Sequence, residues 1–191
     1  GARAQADIAA AQKRFQDLWN AGDYPKALAE AQKTEAAARA AGTNNLPYVL
    51  ALNDLARAHQ GVGQYDRAGE LFRQVLAALQ KNAPAGDPKT GQAFANLATA
   101  ILLQGKASEA EKLYRQAIDI AVKNEGPNSV GVAVLTNNIA EAQRQQNRYA
   151  DAEKGFKRAL ELAEKSSGAN SLPVALILNN MTKLYEDQSR F

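Results

Sequence analysis

A step of 42 residues runs through this chain and limits it to very few folds. Aligning one turn aromatic, or its substitute, gives Tyr24, Tyr65, Ala107, Tyr149 and Phe191, separated by 41, 42, 42 and 42 residues. Neighbouring positions keep the step: Asn53-Asp54, Ala95-Asn96, Asn137-Asn138 and Asn179-Asn180 recur in register. Ala27, Ala68, Ala110 and Ala152 stand three residues after the aligned position, and Phe72, Tyr114 and Phe156 stand four further on. Within each step the apolar residues follow helical spacing, so each unit reads as a helical hairpin that buries its apolar face only by stacking on its neighbours.

The breakers set the limits of the units. Hairpins are expected at about 4–42, 46–82, 90–124 and 130–166, followed by an extra helix at about 173–188. Pro25 suits the first turn of a helix, where its missing N–H would have no partner anyway. Asp66 reads as an N-cap after the Gly61-Val62-Gly63-Gln64 turn, and Ser108-Glu109-Ala110-Glu111 as a capping box. Ala83-Pro84-Ala85-Gly86-Asp87-Pro88 is the strongest breaker, yet the 42-residue step crosses it unchanged, so it reads as a loop between repeats and not as a domain boundary. Phe191 falls where a tenth helix would start, which leaves Leu178, Met181 and Tyr185 of the last helix without a partner. Arrays of this kind normally end in a polar capping helix. The expectation is therefore a piece of a longer protein, or an end covered by another chain, self-association through the unfinished C-terminal helix included.

Six segments carry a family likeness: L-N-D-L-A (52–56), A-N-L-A (95–98), N-N-I-A (137–140), L-N-N-M (178–181), E-A-E-K-L-Y-R-Q-A-I (109–118) and D-A-E-K-G-F-K-R-A-L (151–160). Together they resemble the tetratricopeptide repeat in its longer form of about 42 residues, as in kinesin light chains. The resemblance implies an all-α fold, a right-handed α-solenoid of antiparallel helix hairpins with about nine helices, forming a single array over residues 1–191. It also implies that the first helix of each hairpin lines a concave face and the second a convex one.

Composition narrows the function. The net charge is +3, from 23 basic and 20 acidic residues interspersed along the chain, whereas a nucleic-acid surface gathers Lys and Arg on one face. The absence of cysteine removes disulfide and thiolate chemistry. It leaves the compartment undecided, with a cytoplasm preferred to a periplasm. No run of about 18 apolar residues is present, so no membrane insertion is expected. The single histidine, His59, occupies a position that Ile101 and Tyr185 fill in other repeats, which is a packing position. Neither a HExxH motif nor a cysteine pair offers a metal site, and Gly61-Val62-Gly63 follows a helix without the Lys-Ser/Thr of a phosphate loop. A non-enzymatic chain without cofactor or metal is expected, and its partner is another protein or peptide.

On each first helix a buried stripe is predicted: Leu52/Leu55/Ala56/His59, Phe94/Leu97/Ala98/Ile101, Thr136/Ile139/Ala140/Gln143 and Leu178/Met181/Thr182/Tyr185. Beside it runs a polar ladder of Asn53, Asp54 and Arg57; Asn96 and Thr99; Asn137, Asn138 and Glu141; and Asn179, Asn180 and Lys183. An asparagine amide both donates and accepts, so a column of them can bond the backbone of an extended peptide whatever its side chains. Related repeat proteins hold peptides in this way, and that resemblance puts Asn96, Asn138 and Asn180 first. The competing explanation is that these asparagines bond neighbouring helices within the array. Four residues before the ladder stand Leu50, Gln92, Val134 and Leu176, not the lysines of a clamp for a C-terminal carboxylate. Leu50, Leu102, Val134 and Leu176 are instead expected to supply side-chain pockets. The second reading is a structural or regulatory arm of a larger protein whose effector domain lies beyond residue 191.

Overall fold

The computed structural model describes residues 1–189, and the predicted helix start at Phe191 lies outside them. Among the described residues the chain is all helix and turn. Nine α-helices follow one another: α1 (Ala2–Asn20), α2 (Tyr24–Ala41), α3 (Leu46–Gly61), α4 (Tyr65–Asn82), α5 (Pro88–Leu103), α6 (Ala107–Glu125), α7 (Val130–Gln145), α8 (Tyr149–Ser167) and α9 (Leu172–Ser189). The chain divides into two compact units, Gly1–Asn82 and Ala83–Phe191.

In the first unit each helix packs on the next. Ile8, Ala38 and Ala51 form one buried cluster there, with Tyr48 against it. The rings of Phe15, Trp19 and Tyr24 meet in series, Phe15 stacked on Trp19 at 6.0 Å between centroids and Tyr24 tilted against Trp19 at 4.8 Å.

The second unit repeats the hairpin twice and adds α9, which packs on α8 and α7. Phe156, Ala152, Ala159 and Ala163 of α8 are sealed against Val132, Ala133 and Ala140 of α7 and Val174, Ile177 and Leu184 of α9. Small residues set the helix spacing. A Cβ added at Gly155 would lie 2.9 Å from the Ala140 Cβ, so α8 approaches α7 more closely there than alanine on both sides allows.

The four hairpin turns share one local device. The backbone N–H groups of Asp23, Gln64, Lys106 and Arg148 donate to the carbonyls of Leu18, His59, Ile101 and Gln143, at 3.0, 2.9, 3.1 and 2.9 Å. This closes a Schellman motif, which needs a left-handed residue just before the donor. Gly22, Gly63 and Gly105 supply it, and Asn147 (φ 59°) does so in the fourth turn. A second column begins the first helices. The side chains of Asn45, Asp87 and Ser129 accept from the N–H groups of Tyr48, Lys89 and Val132, and Ser171 stands at the same place before α9. These N-cap positions are 42 residues apart and are all residue types that cap helices well.

Two expected caps are corrected. Ser108 and Glu111 do not form a capping box: α6 begins at Ala107 after Lys106, and no side chain caps it. The Schellman turn brings the chain into the helix before Ser108 is reached, and Glu111 is committed elsewhere. Asp66 likewise lies inside the first turn of α4, which starts at Tyr65.

Candidate functional site

The buried stripes hold for α5, where Phe94, Leu97, Ala98 and Ile101 are all buried. On α3, Leu52, Leu55 and Ala56 are buried, and His59 is half-buried with its ring nitrogen Nδ1 against Gln64 Oε1. On α7, Ile139, Ala140 and Gln143 are buried, and Thr136 is half-buried with its hydroxyl donating to the Val132 carbonyl. The stripe predicted for α9 is corrected. Leu178, Thr182 and Tyr185 are exposed, and the buried residues are Val174, Ile177 and Leu184. α9 turns that second face to α7 and α8; of the predicted stripe, Met181 is half-buried and packs on the same cluster, and Tyr185 donates its hydroxyl to Glu153 of α8 at 3.2 Å. Leu102 is also buried and offers no pocket, whereas Leu50, Val134 and Leu176 are exposed at 43%, 41% and 53%.

In the first unit the predicted ladder is held by its own neighbours. Asp54 accepts from Arg57 Nη1 at 3.4 Å, while the Arg57 guanidinium lies 5.5 and 4.7 Å from the Phe15 and Trp19 ring centres. Burial raises the Asp54 carboxyl above its ordinary value, and the Arg57 charge offsets only part of the rise. Asn53 is half-buried beside them.

In the second unit the asparagines form a chain of bonds. Asn180 Nδ2 donates to Asn137 Oδ1 at 3.2 Å, and Asn137 Nδ2 donates to Asn138 Oδ1 at 3.3 Å. Asn137 is 7% exposed, so it belongs to the α7–α9 contact and not to an open face. Asn138 is half-buried, and its Nδ2 hydrogens have no protein partner among the described residues. Asn96 Oδ1 accepts from Gln92 Nε2 at 2.9 Å. Thr99 donates to the Ala95 carbonyl at 3.0 Å and takes the Tyr114 hydroxyl at 2.7 Å. Burial pushes the Tyr114 hydroxyl up to about 12.

Glu141 is held in a fork by Arg144 Nε and Nη2, both at 2.8 Å, and Arg144 also pairs with Asp187 of α9. Burial pushes the Glu141 carboxyl up, but the Arg144 and Gln145 hydrogen bonds and the Arg144 and Lys183 charges outweigh it and bring it below the ordinary value. Asn179 and Lys183 are exposed on α9.

A cavity of about 300 Å³ opens between α5, α6 and α7. It gathers three of the predicted residues, Asn96, Thr99 and Asn138, together with Gln92 and Val134 from the column four residues earlier. Ile120 and Ala121 of α6 also line it. Two glycines shape it. A Cβ at Gly91 would meet Ile120 Cγ2 at 2.9 Å, and one at Gly131 would meet Glu125 Oε2 at 2.5 Å.

Periodicity does not reveal the network around Glu111. This buried carboxylate accepts from Arg115 Nη2 at 2.7 Å and Gln143 Nε2 at 3.3 Å on one oxygen. On the other it accepts from Gln146 Nε2 and Arg148 Nη1, both at 2.8 Å. It thereby ties α6 to the end of α7 and to the turn that follows. Burial pushes its carboxyl up, but the bonds from Gln146 and Arg115, the charge of Arg148 and the bond from Gln143 together hold it below the ordinary carboxylate value. A depressed folded value stabilises the fold above the unfolded value near 4.5, and that contribution is lost as pH falls through the folded value. Glu111→Gln is expected to cost about 1–3 kcal/mol at pH 7, because the charge is lost and one acceptor oxygen becomes an NH2, which leaves either the Arg115 and Gln143 donors or the Gln146 and Arg148 donors without an acceptor. In thermal melts between pH 7 and 3 the gap between wild type and variant should narrow below pH ~4.5. A gap that stays constant contradicts this assignment.

Among the described residues no three His, Cys, Asp or Glu side chains gather as a metal site, and no described helix is long and apolar enough to cross a membrane. Compared with known proteins, the chain matches a family model described as tetratricopeptide repeat over residues 89–165 and 132–191, and a second model of the same description over 49–83. No curated protein sequence matches it. Among solved structures it is similar to BtubC (BKLC) from P. vanneervenii, at 24% identity and TM-score 0.63, covering 97% of this chain and 66% of that one. It is also similar to a Podosopora anserina protein named as a kinesin light chain with nearly identical TPR-like repeats, at 20% identity and TM-score 0.72, covering 98% and 88%. Aspartyl phosphate phosphatase F from Bacillus subtilis is similar at 19% identity and TM-score 0.72, covering 98% of this chain and 50% of that one. At these identities the likeness is one of fold. The chain spans about two thirds of BtubC and half of the phosphatase.

Proposed function

Because the chain belongs to the tetratricopeptide repeat family, whose stacked hairpins serve as protein–protein interaction scaffolds, we propose that it is a non-enzymatic scaffold holding an extended peptide segment against its first helices. The contact centres on Asn96 and Asn138. The observation that carries this reading is the cavity of about 300 Å³ between α5, α6 and α7, with both asparagines at its lining and the exposed Val134 beside them. Asn138 keeps its amide hydrogens for a peptide carbonyl, while apolar wall lies within reach of a side chain of the same peptide. Asn137 acts differently: buried between α7 and α9, it orients Asn138 through its own amide. We also read the chain as one array, on the ground that the 42-residue step crosses residues 83–88 unchanged.

A peptide selected by phage display against this chain provides the test. Each asparagine-to-backbone hydrogen bond is expected to contribute about 1 kcal/mol, so the double variant Asn96→Ala/Asn138→Ala should weaken binding by roughly tenfold or more. Titration by fluorescence anisotropy reads this directly, and an unchanged Kd sinks the ladder assignment.

A further inference from the structure

We propose that the cavity between α5, α6 and α7 is a subsite for a basic side chain, lysine or arginine, of the bound peptide, with Glu125 as its counter-charge. The proposal rests on the peptide-binding reading of the same groove and adds the chemistry of the segment. The lining combines the apolar Ala95, Ile120, Val134 and Leu135 with the polar Gln92, Asn96, Thr99 and Asn138, and it includes Asn124 and Glu125. No Lys or Arg lines it. Asn124 is already engaged, donating to the Gly86 and Ile120 carbonyls at 2.9 Å each. Glu125 has no ion pair or hydrogen bond among the described residues, and it is the one acid in the cavity lining.

A glycine stands beside that carboxylate. Gly131 sits in the first turn of α7 at ordinary helical geometry, where alanine would be favoured by about 1 kcal/mol. A Cβ there would fall 2.5 Å from Glu125 Oε2, so glycine lets this exposed carboxylate keep its position beside α7 without shifting. Glu125 is also the last residue of α6, and the partial negative charge at a helix C-terminus favours a cation. A lysine or arginine has an apolar stem for the apolar lining and a charge for Glu125. A volume of about 300 Å³ holds one long side chain, being at the small end of the range for ligand pockets. A leucine or phenylalanine would fill the walls and leave Glu125 unanswered, and a glutamate would be repelled.

The experiment uses the 15N-labelled chain and four probes, the Nα-acetyl N-methylamides of lysine, arginine, norleucine and glutamate, each titrated to millimolar concentration. Backbone amide shifts of Gly91, Gly131 and Val134 are the readout. Lysine and arginine probes should give saturable shifts that weaken as salt is raised, norleucine should bind about fivefold more weakly, and glutamate should not bind. Glu125→Gln, an exposed change that leaves the fold intact, should bring lysine down to the level of norleucine. Val134→Lys, which places a tethered ammonium at the cavity, should block every probe. Equal binding of lysine and norleucine, or an unaltered lysine affinity in Glu125→Gln, overturns the subsite. The asparagine titration separates the two claims. Loss of the selected peptide in Asn96→Ala/Asn138→Ala with no effect of Glu125→Gln overturns the subsite alone, and no effect of either overturns the groove reading with it.

Discussion

Phe156→Ala is expected to lower the stability of the second unit by about 3–5 kcal/mol, the cost of a fully buried aromatic lost from a core that collapses only in part. Phe156 is wholly buried among Ala152, Ala159, Val132, Ala133 and Ile177, and small residues of this kind have few rotamers with which to refill the space. Phe72 and Tyr114, which occupy the same place in the two preceding repeats, are 1% exposed. In a repeat protein a lost core residue is felt first by its own hairpin and its neighbours. Urea unfolding followed by circular dichroism should therefore show an early transition. A midpoint shift worth less than about 1.5 kcal/mol would contradict the placement of Phe156.

Ala152→Leu is expected to destabilise by about 1–3 kcal/mol for the opposite reason, since three added carbons have no space to enter. Ala152 is fully buried where α8 begins, in a packing layer that the repeat also fills with Ala27, Ala68 and Ala110. The control lies two residues away. Ala150 is exposed on the same helix, so Ala150→Leu should stay within about 0.5 kcal/mol of wild type. Equal melting of the two variants would show that the hairpin register is wrong by at least one position.

Both effects were legible in the sequence, because a repeat averages away local accident: a position that is alanine at four successive steps, or aromatic at three, is constrained by packing and not by chance. The N-cap column of Asn45, Asp87, Ser129 and Ser171 was equally legible by its step and residue types. It escapes a reading that aligns turns and apolar stripes only. Features that depend on two helices at once were not legible. Asn137 and Asn138 repeat together, yet adjacent helical residues point about 100° apart, so the two cannot share one face. Asn138 lines the cavity and Asn137 is buried against α9.

The same limit explains Glu111. Its spacing from Ser108 satisfies the capping-box pattern, but four donors claim the carboxylate, and only Arg115, at i+4 on α6, is foreshadowed by local spacing; Gln143, Gln146 and Arg148 come from α7 and the following turn. On α9 the stripe was transferred from helices that are followed by a second helix of their own hairpin. Among the described residues α9 has none, so Leu178 and Tyr185 stand exposed and its burial falls on Val174, Ile177 and Leu184. Two glycines, Gly91 and Gly131, line the cavity, and a glycine within a helical pattern signals a packing reason without saying what approaches.

The central claim, that a peptide lies against the first helices with its backbone on Asn96 and Asn138, is tested most directly by the side-chain amide resonances of the 15N-labelled chain. On saturation with a selected peptide, the Nδ2 hydrogens of Asn96 and Asn138 should shift and become protected from exchange, and the backbone of Val134 should move with them. Shifts confined to the outer surface of α8, at Lys154, Lys157 and Arg158, with both asparagine amides unmoved, would contradict it.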